Sequence, residues 1–483
     1  MSLQGARQFV LGFHPDRPVV LEASAAQLSS DGGLLVVREF DEQIGLTAQF
    51  AAALEDTRDA CWTRHDLLSM VRQRIYGVLA DYEDQNDHDE LRSDPVFKLI
   101  ADRLPDGPDL ASQPTLSRFE NAVSIPDLKR LRDVLLAQFV DSFAAPPVRI
   151  TLDVDAFDDP THGQQQLTFF HGFYDQYQYL PIAITCAEND AVVLVGLRHG
   201  TCPAYLGVDD DLRLIAARIR ARWPDVEIVV RADSGFGVPL MYRVCEELGL
   251  SYTVGLRMNP LLKRKSAELL AQAERQYQAS GQKQRLFLSL DYQAKSWRGP
   301  RQIVIKCEAH AEGTNRRAVI TNRPGWSVLP PAVYDEYAER GESENRNKEL
   351  KRGLCADRLS DHRFLANFFR LYLHTAALNL LVRLRRATTK APTPESLGVL
   401  DPLPAEALPD RSRKRFFNRR RQHDPLGEGH ACTWRSRCFK VAVEVTISAR
   451  RVLVKLSSSW PHLDELFRVA ELVAVPSAGH GTS

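Results

Sequence analysis

Three groups of acidic residues carry types and spacings that suit chemistry on a phosphodiester. The segment Thr151-Leu152-Asp153-Val154-Asp155 puts two aspartates on the polar side of an otherwise apolar strand. Asp233 follows the apolar run 226–230 and precedes Ser234-Gly235, and residues 337–351 are rich in glutamate. Two-metal phosphoryl transfer needs such a set. Two hard divalent cations roughly 3.5–4 Å apart must be held by carboxylates that leave room for a phosphate and a water. An α/β sheet supplies the set by ending neighbouring strands in acids and packing a helix over them. Aspartates on an apolar strand otherwise have little structural reason to be there. Asp233 taken alone reads equally well as a strand end or a helix cap.

The third group is the most informative. At about 100° per residue, with Tyr337 at zero, Arg340 falls near 300°, Glu344 near 340° and Lys351 near 320°. The four share one narrow stripe of a helix expected over 334–351, while Glu342 and Glu349 fall near 140° and 120°, on the far side. Glu344 is therefore the expected third acid. A surface helix laced with salt bridges would also place Arg and Glu four apart, but it would not require the Tyr and the distal Lys on the same stripe.

Elements that position these residues are visible as changes of period. Residues 148–154 alternate as a strand, and two apolar runs, 179–186 and 191–197, are joined by Glu188-Asn189-Asp190 as a hairpin. A helix over 209–222, a strand over 226–230, a helix over 238–248 closed by Gly249 and a strand over 251–255 follow. That order is expected of an RNase H-like α/β catalytic core. Residues 257–322 turn irregular and then strand-like, as a β-rich insertion. Upstream, residues 1–146 read as a helical N-terminal domain that ends at Ala144-Ala145-Pro146-Pro147. The catalytic domain spans 147–390, and 391–483 is a basic, small α+β C-terminal region.

Composition narrows the partners. The chain has 483 residues, 44% hydrophobic and 26% charged, in keeping with a soluble globular protein of about three domains or one elaborated one. No run approaches the roughly 20 apolar residues of a membrane span, and the first residues lack a signal-peptide layout, so a cytoplasmic, nucleoid-associated protein is expected. The eight cysteines are scattered, and His430, Cys432 and Cys438 are too few for a zinc site, so reduced structural thiols are expected. Lys plus Arg and Asp plus Glu both number 62, yet seven of the eleven residues 411–421 are basic and none is acidic. Arg413, Arg415, Arg419 and Arg420 in that block suit phosphate; the alternative is a solvated charged loop.

The string Tyr337-x2-Arg340-x3-Glu344-x6-Lys351 resembles the signature of insertion-sequence DDE transposases. Asp158-Asp159-Pro160-Thr161-His162-Gly163, Arg231-Ala232-Asp233-Ser234-Gly235-Phe236 and Ser457-Ser458-Ser459-Trp460-Pro461 resemble one bacterial group, insertion-sequence family thirteen-eighty. The resemblance implies a cut-and-paste enzyme in which Asp155, Asp233 and Glu344 hold two Mg²⁺, with Mn²⁺ as substitute. It implies that Arg340 and Lys351 neutralise phosphates beside the cut and that Tyr337 contacts the terminal nucleotide. The implied partners are double-stranded DNA, as terminal inverted repeats read by the N-terminal helices and as target, and a second copy of the chain. Ala156-Phe157 after Asp155 departs from the family's usual small residue and threonine, which keeps Asp153 open as the first ligand. Phe169, Phe170, Phe173, Tyr174, Tyr177 and Tyr179 are expected in packing, with base stacking as the alternative. Packing is likewise expected of Trp297 over a flipped-base pocket, and His162 and His171 read as loop residues. The other readings are a nuclease that cuts without joining, a catalytically silent DNA-binding protein and, more distantly, a metal-dependent phosphatase.

Overall fold

Alternation along the strands decides which residues face which layer. The structure, a computed structural model, describes residues 8–11, 17, 19–22, 26–391, 393 and 418–474. At its centre lies a mixed eight-stranded sheet. The strands are β1 (Arg149–Ala156), β2 (Ile182–Cys186), β3 (Val192–Gly196), β4 (Glu227–Ala232), β5 (Ser251–Leu256), β6 (Gln284–Tyr292), β7 (Arg301–His310) and β8 (Gly313–Thr321). In space they run β6-β7-β8-β5-β4-β1-β2-β3. The central trio β1, β4 and β5 is parallel, and the other pairings are antiparallel.

The helices that matter to the site are α1 (Leu34–Ile44), α2 (Leu67–Leu79), α3 (Gln113–Asn121), α4 (Ile125–Asp141), α5 (Val208–Arg222), α6 (Pro239–Glu247), α7 (Pro330–Ala338), α8 (Gly341–Lys348), α9 (Phe364–Thr388) and α10 (Leu463–Val473). Local chemistry fixes several starts. Asp66 accepts from Ser69 N at 2.7 Å at the head of α2, and Ser124 and Asp127 form a capping box at the head of α4. One face of the sheet is apolar. Ile150, Leu152 and Val154 of β1, Ile228 and Val230 of β4 and Val254 of β5 share a core with Leu212 and Ile215 of α5 and Val244 of α6. With a period of two, Thr151, Asp153 and Asp155 of β1 and Arg231 of β4 point to the opposite face. That face meets α7 and α8, with Val304, Val319 and Tyr334 forming a small core under α7.

Two features of the packing could not be read from the sequence. The strands of 257–322 form no sheet of their own, because β8 pairs with β5 and the central sheet simply continues through β7 to β6. The boundaries near 146 and 390 do not divide the core either. One hydrophobic cluster joins Leu34 of α1, Ile75 of α2, Leu135 of α4, Phe369 and Leu380 of α9, Val469 of α10, and Trp434 of the short helix Ala431–Trp434. The C-terminal hairpin, strands Val443–Ile447 and Val452–Leu456, also pairs with Gln27–Ser29 near the chain's start. Among the described residues no helix is long and apolar enough to cross a membrane.

Candidate active site

β1 and β4 lie side by side in a register that puts Asp153 opposite Arg231. The two form a bidentate ion pair, Nε to Oδ1 at 2.7 Å and Nη2 to Oδ2 at 2.8 Å, with side chains 2% and 3% exposed. Arg231 also donates to the Glu336 carbonyl at 2.7 Å and to the Glu339 carboxylate at 3.2 Å. A buried pair of this geometry satisfies both charges and fastens α7 to the strand pair. Asp153 thus has a structural reason that the strand pattern alone does not reveal. The signal was present, since Arg231 precedes Asp233 by the same two residues that separate Asp153 from Asp155.

Asp155, one pleat further, is held differently. Its Oδ1 accepts from Ala156 N and its Oδ2 from Asn347 Nδ2, each at 3.0 Å. The nearest cation, Arg340, stands 3.9 Å away and pairs more closely with Glu344, at 2.8 Å. Burial pushes the Asp155 carboxyl up to about 6; Arg340 opposes that rise and the neighbouring Asp233 adds to it. Asp233 ends β4 and accepts from Gly235 N at 2.7 Å, which forms the turn after the strand. Tyr337 approaches that turn from α7. A Cβ on Gly255 would stand 2.9 Å from the Tyr337 hydroxyl and 2.7 Å from Ser234 N, so this approach needs a glycine on β5. Burial alone would lower the Arg340 pKa, but Tyr337, Asp155, Glu344 and Asp233 outweigh it and hold it above its ordinary value. Arg340 therefore lies at the electrostatic centre of the site.

The helix expected over 334–351 is interrupted. α7 ends at Ala338, α8 begins at Gly341, and a π-helical turn, Glu349–Gly353, follows. Gly341 and the lack of any apolar residue between Ala338 and Leu350 leave no hydrophobic stripe to hold one straight helix. Arg340 and Glu344 still meet, one turn apart. Lys351 donates to Asp158 at 2.7 Å. Burial would raise the Asp158 carboxyl, but Lys351 and Gln176 hold it below its usual range. Glu349, expected on the far side, is buried against Arg385 at 3.0 Å and Arg346 at 2.8 Å, and it caps Ala431 N at 3.0 Å.

Oxygen atoms of Asp155, Asp233 and Glu344 are not gathered as a ready cage. Among the described residues the one trio of ligand atoms within 4.8 Å of one another is Asp81, Glu83 and Cys355. Its acids already pair with Arg435 at 2.8 Å and Arg358 at 2.5 Å. Arg413 and Arg415 lie outside the described residues, while Arg420 pairs with Glu428 at 2.6 Å and Arg419 continues the same helical turn. Five of the six aromatics expected in packing are exposed instead: Phe169, Phe170 and Tyr177 stand on a small sheet beside Asp158, Phe173 and Tyr174 in the turn that joins its strands, and only Tyr179 is buried. Tyr174 lies within electrostatic reach of Asp158, Asp155 and Asp233. Trp297 is buried between Tyr242, Tyr292 and Arg301. His162 is exposed, and His171 packs on Tyr174. All eight cysteines are free, and the His430 ring stands 3.5 Å from Glu349.

Comparison with known proteins adds a family. A family model described as transposase DDE domain group 1 matches residues 12–396. No curated protein matches the chain. Among solved structures, the chain is similar to a cryo-EM structure of a piggyBac transposase synaptic complex with hairpin DNA. The identity is 13% over 95% of this chain and 90% of that one, with a TM-score of 0.41, too loose a likeness to bear on mechanism.

Proposed function

The chain belongs to the transposase DDE domain group 1 family, and from that premise we propose that it cleaves DNA at the ends of an insertion sequence and joins them to target DNA. The observation that carries this reading is Arg340, which pairs with Glu344 at 2.8 Å, stands 3.9 Å from Asp155 and lies in the field of Tyr337 and Asp233. The donor set fits a divalent cation. It is all oxygen, which suits Mg²⁺ or Mn²⁺, and burial, with Asp233 adding to it, pushes Asp155 up to about 6, a cost to the charged carboxylate that a bound cation relieves. Bound by Asp155, Asp233 and Glu344, two Mg²⁺ would supply Lewis-acid activation of water and phosphate.

The chain's own residues do the rest. Asn347 orients Asp155 through its Oδ2. Glu344, paired with Arg340, would be the third metal ligand, and Arg340 would neutralise the phosphate at the cut. Lys351, held by Asp158 in the DNA-free protein, is a second phosphate ligand. Tyr337 meets the terminal nucleotide. Strands β1 to β5 with α5 and α6 read as an RNase H-like core within 147–390, flanked by the 1–146 and 391–483 regions. The substrate is double-stranded DNA, as terminal inverted repeats and target, and the working unit is a homodimer with Arg413, Arg415, Arg419 and Arg420 on the DNA backbone.

The test is an assay of purified protein, Mg²⁺ and labelled DNA bearing the element's flanking ends, beside Glu344→Gln. Metal-dependent cleavage and joining that disappear in the variant are expected. Cleavage that survives the substitution removes Glu344 from the chemistry. Nicks without joined products indicate a nuclease, and binding without cleavage a silent DNA-binding protein.

A further inference from the structure

The N-terminal helical region carries a concavity of about 950 Å³ between the loop ahead of α2, the loop ahead of α3 and the start of α3. Arg58, Arg64, Arg92, Arg103 and Arg118 line it, and Trp62 stands at its wall, 85% exposed and the most exposed of the six tryptophans. Charges here are not balanced. Arg58 is chelated by Asp56 at 2.6 Å, and Asp109 is shared between Lys98 at 3.1 Å and Arg92 at 3.9 Å. Among the described residues Arg64, Arg103 and Arg118 have no carboxylate partner. Arg103 donates to the Arg64 carbonyl at 3.2 Å and meets the His65 ring at 2.9 Å, and Arg118 donates to the Thr115 hydroxyl at 3.2 Å. The His65 imidazole registers the excess: burial first, then Arg103 and Arg58, push its pKa down. A second, mainly apolar cavity of about 340 Å³ adjoins, sharing Arg58, Thr115 and Arg118 and floored by Leu54, Phe119 and Phe369.

Unpaired cations beside an exposed indole and an apolar recess make a recognisable combination. Guanidinium groups track a phosphate backbone, and an aromatic face stacks on a base whatever its sequence. The shape selects the form of nucleic acid. Duplex DNA is read by an element that protrudes into a groove, whereas this surface is concave and of a size that encloses a nucleotide or two. We infer that this cleft binds a single-stranded DNA segment, with an unpaired base stacked on Trp62 and its flanking phosphates held by Arg64, Arg103 and Arg118. The inference deepens the transposase reading by assigning a separate site for unpaired strand, and it rests on that reading only for the choice of DNA.

The test uses the full chain and a short fluorescein-labelled oligothymidylate, followed by anisotropy and by tryptophan fluorescence. Quenching of Trp62 by the oligonucleotide is expected. Trp62→Ala should weaken binding about tenfold or more, the scale of one base–aromatic stack. Arg64→Ala with Arg118→Ala should flatten the logarithmic salt dependence by roughly 0.7 for each phosphate that is no longer neutralised. Unchanged affinity in Trp62→Ala overturns the inference. So does tighter binding of a duplex of equal length at the same site, or equal quenching by heparin. Repeating the titration in Glu344→Gln separates the two claims. Abolished cleavage with an intact Trp62 response supports both; retained cleavage with an intact response sinks the catalytic assignment alone, and abolished cleavage without a response sinks the cleft alone.

Discussion

Asp153 and Asp155 leave β1 on the same face, two residues apart, and their surroundings differ in kind. Asp153 is sealed in a two-point ion pair with Arg231, and each charge has its partner at 2.7–2.8 Å. Asp155 sits among more carboxylates than cations, its guanidinium neighbour is 3.9 Å away, and Glu344 competes for that neighbour. A sealed pair has nothing left to bind with, and separating it leaves a buried charge bare. The unsealed group can exchange partners, which is what a metal site with open positions requires. The layer of the Asp153–Arg231 pair is therefore the frame, and the layer of Asp155, Asp233, Arg340 and Glu344 is the site mounted on it. Glu344 and Lys351 each pair with a local partner of opposite charge, Arg340 and Asp158.

Substitutions on the two sides of this divide should separate activity from stability. Asp155→Asn should reduce DNA cleavage about 10³-fold or more, the scale seen when an essential catalytic group is removed, while its melting temperature stays near that of the parent. Arg231→Met should do the opposite first. Loss of one partner of a buried pair costs about 3–5 kcal/mol, read as a shift of the urea midpoint, and Asp153→Leu in the same chain should restore much of it. If Arg231→Met melts like the parent, the frame has been misassigned. Asn347→Ala, which removes only the bond that orients Asp155, should weaken Mn²⁺ affinity by roughly 10–100-fold in a calorimetric titration, as removal of the support behind a ligand does.

The smallest effect concerns Glu349, the sealed pair that ties the end of α8 to α9. Burial would raise its carboxyl, but the His430 ring, Arg385 and Arg346 hold it at about 2, below the ordinary 4.5. Its unfolded form binds a proton at a higher pH than its folded form. The stabilisation is thus complete above about pH 4.5 and is lost as pH falls towards 2. Melting temperatures of the parent and Glu349→Gln should differ most at neutral pH and converge on acidification; a gap independent of pH would contradict the assignment.

Much of the site was legible in the sequence because a strand buried on one face exposes its acids by period alone. Asp155 and Asp233 fall at strand ends, and Arg340 and Glu344 one turn apart. What stayed hidden depends on partners far along the chain. Asp153 meets a residue 78 positions away, and Glu349 meets Arg385 and Ala431 at separations of 36 and 82. No helical wheel contains that information. The wheel also assumed a straight helix through Gly341, where the helix breaks; it placed Arg340 and Glu344 together, but it could not show what Glu349 meets on the far side. Residues 257–322 looked like a separate insertion because nothing in their pattern says that β8 will pair with β5.

The most direct measurement is a crystal of the protein soaked in Mn²⁺ and examined by anomalous scattering. Mn²⁺ peaks beside Asp155 and Asp233 are expected, with the Glu344 carboxylate turned from Arg340 towards them. Peaks only at Asp81, Glu83 and Cys355, or none near Asp155 with the Arg340–Glu344 pair intact under saturating Mn²⁺, would contradict that expectation.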